Sequence, residues 1–168
     1  MRRINTRTIV YLGVLTALEI ILNRFLSINA WNIKIGFSFV PIAAAAILFG
    51  PLQAGIVGAL GDFLGAILFP IGPYFPGFTL TAFLVGVVLG LLLREKQTPI
   101  RIITAVGINQ LILGLLLNSC WISILYKSPF VPLLGTRIIQ CAILLPVQFT
   151  VILFISRTLI VCRKRLPA

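Results

Sequence analysis

Apolar residues fall along this chain in six blocks, separated by prolines, glycines and charged side chains. Read between those breakers, the blocks predict membrane spans near 8–26, 34–49, 52–68, 77–93, 100–126 and 132–161. A helix needs about 20 apolar residues to cross the hydrocarbon, so spans use up nearly all of the 168 residues. The pattern predicts one membrane domain over 1–168, an all-α integral membrane protein with six transmembrane helices and no separate soluble domain. Arg2, Arg3 and Arg7 precede the first block, which continues through Glu19 to Arg24 without a small-residue cleavage site. It reads as a retained span, not a secretion signal.

One interruption is unlike the others. Phe69-Pro-Ile-Gly-Pro-Tyr-Phe-Pro-Gly-Phe78 holds three prolines, two glycines and four aromatic rings and carries no charge. Proline fixes φ and removes a backbone donor while glycine permits turns, so the segment breaks helix yet holds one shape. A preshaped aromatic loop at a membrane surface predicts a lid.

Charge orients the spans. The chain carries 14 Lys and Arg against 3 Asp and Glu, a formal net charge of +11, without a basic face on a polar fold that would suit nucleic acid. Arg2, Arg3, Arg7, Arg94, Lys96, Arg101, Arg163, Lys164 and Arg165 all fall on one side of a six-span topology, which places both termini in the cytoplasm. The connections 27–33, 69–76 and 127–131 then face outward. Cys120, Cys141 and Cys162 are isolated and there is no histidine, so neither a disulfide framework, a metal site nor a cofactor is indicated.

Small residues four apart recur at Gly13 and Ala17, Ala54 and Gly58, Gly61 and Gly65, and Gly86 and Gly90. Such pairs let membrane helices approach closely. Internal packing is expected for most; the first pair lies on an end span that can offer its face to another protein.

Ionisable groups in hydrocarbon cost at least about 2.5 kcal/mol, so each asks for a partner or a purpose. Asp62 is expected in the outer half, facing the bundle interior. Two readings stand: an ion pair with Arg24 or Arg137, or a contact to a ligand's amino-amide edge. Arg24, Lys34, Lys127 and Arg137 sit in the outer half against the positive-inside trend, and too few acids lie nearby to balance them. Asn118 with Trp121, and Arg137 with Gln140, stand three apart and share helix faces, with Trp121 a candidate for stacking. Together these are parts of a pocket for a flat, hydrogen-bonding, anionic molecule. The chain has no GxxxxGK[ST] loop and no paired acids or histidine for catalysis, so an enzyme is not expected. A pocket without a motor suggests transport by partnership.

The stretches Lys34-Ile-Gly-Phe-Ser-Phe-Val-Pro41, Leu48-Phe-Gly-Pro51, Gly58-Ala-Leu-Gly-Asp62 and Leu68-Phe-Pro-Ile-Gly-Pro-Tyr-Phe-Pro-Gly-Phe-Thr79 resemble the folate-specific S components of energy-coupling factor (ECF) vitamin transporters. The resemblance implies the S-component fold and a multi-pass subunit of a prokaryotic cell membrane that captures extracellular folate. Its implied partners are a transmembrane coupling protein and two cytoplasmic ATPases, docked in part through an AxxxA motif on helix 1, which here reads Gly13 to Ala17, with glycine in place of the first alanine. Candidate ligand contacts are Arg24, Lys34, Phe39 and Asp62, then Tyr74, Phe75 and Phe78 of the loop, then Asn118, Trp121, Arg137 and Gln140. The pterin ring suits stacking and Asp62, and the glutamate carboxylates suit Arg137, Lys34 or Arg24. An S component for another vitamin or a pterin-like or purine-like compound is the close alternative. A structural or regulatory six-helix protein is the distant one.

Overall fold

The computed structural model describes residues 6–30, 33–128 and 130–165, with side chains described outside 28–35, 130–133, 136 and 160–165. Arg2, Arg3 and Trp31, and the side chains of Lys34, Arg163, Lys164 and Arg165, lie outside the described residues. Six helices form the bundle: α1 (Thr6–Arg24), α2 (Phe39–Leu48), α3 (Pro51–Leu68), α4 (Pro76–Leu93), α5 (Pro99–Tyr126) and α6 (Phe130–Arg165). Five of them are long and apolar enough to cross a membrane.

Prolines set the helix starts. Pro51, Pro76 and Pro99 each occupy the first turn, where a missing N–H costs nothing and the fixed φ suits the helix. Thr98 caps α5 by accepting from the Arg101 backbone N–H at 3.4 Å. The tight corner from α2 to α3 turns on Gly50, whose φ of +109° is open to glycine and few others. Any Cβ there would also strike the Arg94 guanidinium packed over it.

The structure departs from the sequence reading after α1. Residues 27–30 and 33, expected in a loop, and residues 34–36, expected to open span 2, instead form two antiparallel strands, β1 (Ser27–Ala30) and β2 (Ile33–Gly36), with Ser27 opposite Gly36. Alternation of Ile28, Ala30, Ile33 and Ile35 with polar neighbours is the period-two signal of a strand. Helix α2 is left with 10 residues, about 15 Å, half the depth of the hydrocarbon. It is apolar all round and correspondingly buried, with Pro41, Ile42 and Ala43 to Ile47 at the centre of the bundle.

Small residues bring α3 and α4 together. Gly86 lies on the Ala54 backbone, Gly58 on Ala82 and Gly90 on Pro51, each so close that a Cβ would collide. Around this seam Ile47, Val57, Leu89, Leu93, Ile102 and Ile152 fill the core. Two irregularities mark the other half. The middle of α5, Ile108–Leu117, is π-helical, and α6 runs for 36 residues with Pro146 inside it.

Candidate functional site

All six helices, the start of α2 included, and the aromatic loop surround a cavity of about 590 Å³. That volume suits a small organic ligand.

The α1–α3 wall is built on two glycines. Gly61 and Gly65 present no side chain to α1, and the carboxylate of Glu19 and the guanidinium of Arg24 occupy the space their side chains would take. Glu19 is 2% exposed, and Asn23, one helical turn on, donates to its Oε1 at 2.9 Å. This small-residue pair thus seats polar side chains beyond simply joining helices. Arg24 reaches the backbone carbonyl of Asp62 at 3.4 Å, and neither Arg24 nor Arg137 pairs with the Asp62 carboxylate. Asp62 Oδ2 instead accepts from the Thr79 hydroxyl at 2.8 Å, and Thr79 Oγ1 lies 3.2 Å from the Tyr74 hydroxyl. A short hydroxyl chain therefore ties the aromatic loop and the start of α4 to α3. The ion-pair reading of Asp62 is replaced by this chain, because the Arg24 guanidinium is held against Gly65 and reaches only the Asp62 backbone carbonyl.

Rings lock the loop to its surroundings. Tyr74 meets Phe63 edge-on at 5.8 Å, Phe75 meets Phe78 edge-on at 6.1 Å, and Phe69 meets Phe25 at 5.0 Å. Trp121 packs 5.6 Å from Phe75 and donates its Nε1–H to Thr81 Oγ1 at 3.1 Å. It stands behind Phe75 and does not line the cavity; Gly77 leaves room for its indole.

The α5–α6 wall is rich in amides. Asn109, Gln110 and Asn118 of α5 and Gln140 and Gln148 of α6 all line the cavity. Arg137, 7% exposed, lines it too and donates to the Gly114 carbonyl at 3.4 Å and Ser119 Oγ at 3.3 Å. The Cys141 thiol donates to the Gln110 carbonyl at 3.4 Å.

Of the residues expected from sequence, the cavity brings together Arg24, Phe39, Asp62, Tyr74, Phe75, Phe78, Asn118, Arg137 and Gln140. Trp121 is set back, and the backbone of Lys34 pairs with Asn29 in the strand pair while its side chain lies outside the described residues. Sequence reasoning passed over Asn23, Thr79, Asn109, Gln110 and Gln148 as site residues, and placed Glu19 only near the outer half. Asn23 is marked in the sequence by its place four residues from Glu19 on one face, whereas Asn109 carries no such mark. Gly13 and Ala17 lie elsewhere, on an exposed face of α1 beside Val10, Val14 and Leu18, with nothing within 4 Å of a Cβ at Gly13. Among the described residues no group of three metal-ligating side chains occurs.

The site therefore joins a carboxylate edge and loop rings on one side to a buried guanidinium and amides on the other. It has the means to hold a flat polar molecule. Comparison with known proteins agrees with a binding role. The chain is 42% identical over 153 residues to a folate transporter FolT of Clostridium novyi (strain NT), covering 90% of this chain and 88% of the relative. It is 30% identical over 160 residues to a folate transporter FolT of Leuconostoc mesenteroides, covering 91% and 86%. A crystal structure of FolT bound with folic acid superposes with a TM-score of 0.88 at 32% identity, over 92% of this chain and 95% of that one. The family model described as ECF-type riboflavin transporter, S component, matches residues 3–160, and with a match of that extent the chain belongs to this family of ECF S components, the substrate-binding membrane subunits of transporters.

Proposed function

We propose that this protein captures folate at the outer face of a prokaryotic plasma membrane and delivers it for uptake. In this reading it works with a transmembrane coupling protein and two cytoplasmic ATPases, with both of its own termini in the cytoplasm. The observation that carries the reading is that one cavity of about 590 Å³ is lined by Asp62 and the loop rings and also by the buried Arg137. Folate has matching ends: a flat amino-heterocycle that a carboxylate and aromatic rings receive, and carboxylates that a guanidinium receives. The similarity to FolT relatives and to a folic acid-bound FolT structure supports the same ligand.

Riboflavin is the second reading, favoured by the description of the matching family. It has a comparable flat ring but no carboxylate, so a buried arginine in the cavity argues for folate. A binding panel of folate, riboflavin, thiamin and biotin on the purified subunit decides between them. Folate alone is expected to bind tightly and quench tryptophan emission, through Trp121 behind Phe75; preferential riboflavin binding would overturn the assignment.

Docking is assigned to the exposed face around Gly13 and Ala17. A bulky side chain there has open space, so Gly13→Leu is expected to leave folding and vitamin binding intact. ATP-dependent uptake by the reconstituted complex should fall about tenfold or more. Equal uptake would remove this face from the interface.

A further inference from the structure

We propose that Asn109 and Asn118 form one ligand-reading pair that exists because the middle of α5 is π-helical, and that the pair takes a planar edge presenting an N–H donor beside a carbonyl acceptor. The proposal deepens the folate reading and rests on it for the ligand's identity.

The two residues stand nine positions apart, and the stretch between them is the π-helical segment Ile108–Leu117. In an α-helix nine residues make about two and a half turns, which sets the two side chains on opposite faces. Hydrogen bonds that reach five residues back fit more than four residues into a turn, so nine make about two turns and both side chains share a face. Both indeed line the cavity, with Gly114 between them. Regular α-helix through this segment would turn one of the two away from it.

Both amides are also uncommitted. Asn109 is 7% exposed and the Oδ1 atoms of Asn109 and Asn118 are buried, yet neither side chain makes a hydrogen bond among the described residues. Their neighbours behave differently: Gln110 accepts from Cys141, and Arg137 donates to Gly114 and Ser119. Amides in membrane helices ordinarily bond to another helix, and burying one without a partner carries a cost that folding alone does not offset. Two such amides line one cavity, and a turn about χ2 carries each shielded Oδ1 to whatever enters it. A side-chain amide pairs in two-fold fashion with an edge that alternates donor and acceptor. Folate presents such an edge at its ring lactam, where the N–H and the carbonyl lie side by side.

The test uses Asn109→Leu and Asn118→Leu in the purified full-length subunit, reading folate affinity and the melting temperature without ligand. Each substitution is expected to weaken folate binding about 10- to 100-fold. The ligand-free protein should melt at the same or a higher temperature, because an unpartnered polar group has been replaced by an apolar one of similar size. Affinity within about twofold of wild type would overturn the pair. So would melting that falls in step with affinity, or failure to fold, since both mark amides that stabilise the protein itself. Failure of the folate reading looks different: the wild type then binds riboflavin, and the two substitutions are scored on that vitamin, whose ring also carries a lactam edge. With neither vitamin bound, the melting temperatures decide alone, and a lowered one overturns the proposal.

Discussion

The two walls of the cavity handle their polar groups in opposite ways. On the α1–α3 side, together with the start of α4, Asn23 donates to Glu19, Thr79 donates to Asp62, and Arg24 reaches the Asp62 carbonyl. On the α5–α6 side Asn109 and Asn118 bond to nothing among the described residues, and the contacts of Arg137 to Gly114 and Ser119 are long. Each of those side chains on the first wall makes a hydrogen bond within the protein, although Arg24 Nε is buried without one, whereas the two asparagines of the second wall make none among the described residues. Substitutions on the first should therefore be felt in the empty protein, and substitutions on the second chiefly in the affinity.

The largest expected effect breaks the first wall. In Gly61→Val the new side chain takes the space of the Glu19 carboxylate and drives it toward the cavity, away from Asn23, so the polar contact at the α1–α3 seam is lost. A loss of about 3 kcal/mol or more is expected, read as a lowered melting temperature without ligand. Unchanged melting would show that the seam is not what fixes Glu19. Next in size is Arg137→Gln on the second wall. Folate affinity should drop about 100-fold as the charge-assisted contact to a carboxylate is lost, while the empty protein, relieved of a buried cation, melts no lower. If stability falls with affinity, Arg137 behaves as the first wall does and the comparison fails. Smallest is Trp121→Phe, which loses one hydrogen bond to Thr81, about 1 kcal/mol of stability. Folate affinity should stay within about threefold while the quenching that comes from Trp121 is lost and the emission of Trp31 remains; a much larger loss would place the indole against the ligand.

How much of this was legible depends on how rare a residue is in a membrane. Asp62 and Arg137 stand out in any apolar run because the hydrocarbon tolerates so few charges. The loop from Phe69 to Phe78 stands out because proline and glycine cannot continue a helix. Both signals are local. The strand pair was less visible, since its strands are four residues each and run straight into an apolar stretch that reads as span. The half-depth of α2 follows from that same misplaced start. Trp121 sits on the expected helix, yet a ring from another segment, Phe75, intervenes between it and the cavity, and only the fold can show that. Asn109 is the clearest case of a hidden site residue. Its position on a face depends on where helical hydrogen bonds lengthen from four residues to five, and composition gives no sign of that change.

Helix α6 contributes to the cavity on both sides of Pro146, through Arg137, Gln140 and Leu144 before it and Gln148 and Ile152 after it. At 36 residues it extends about 54 Å, well beyond the roughly 30 Å of hydrocarbon. Proline removes one rung of the hydrogen-bond ladder and concentrates bending at its own position. The helix is therefore built to act as a lever with its fulcrum beside the cavity. From Pro146 to Arg165 the arm is about 29 Å, so a bend of about 5° there displaces the basic end by about 2.5 Å. An event too small to reshape the cavity is in this way large enough to be felt at the opposite face of the membrane.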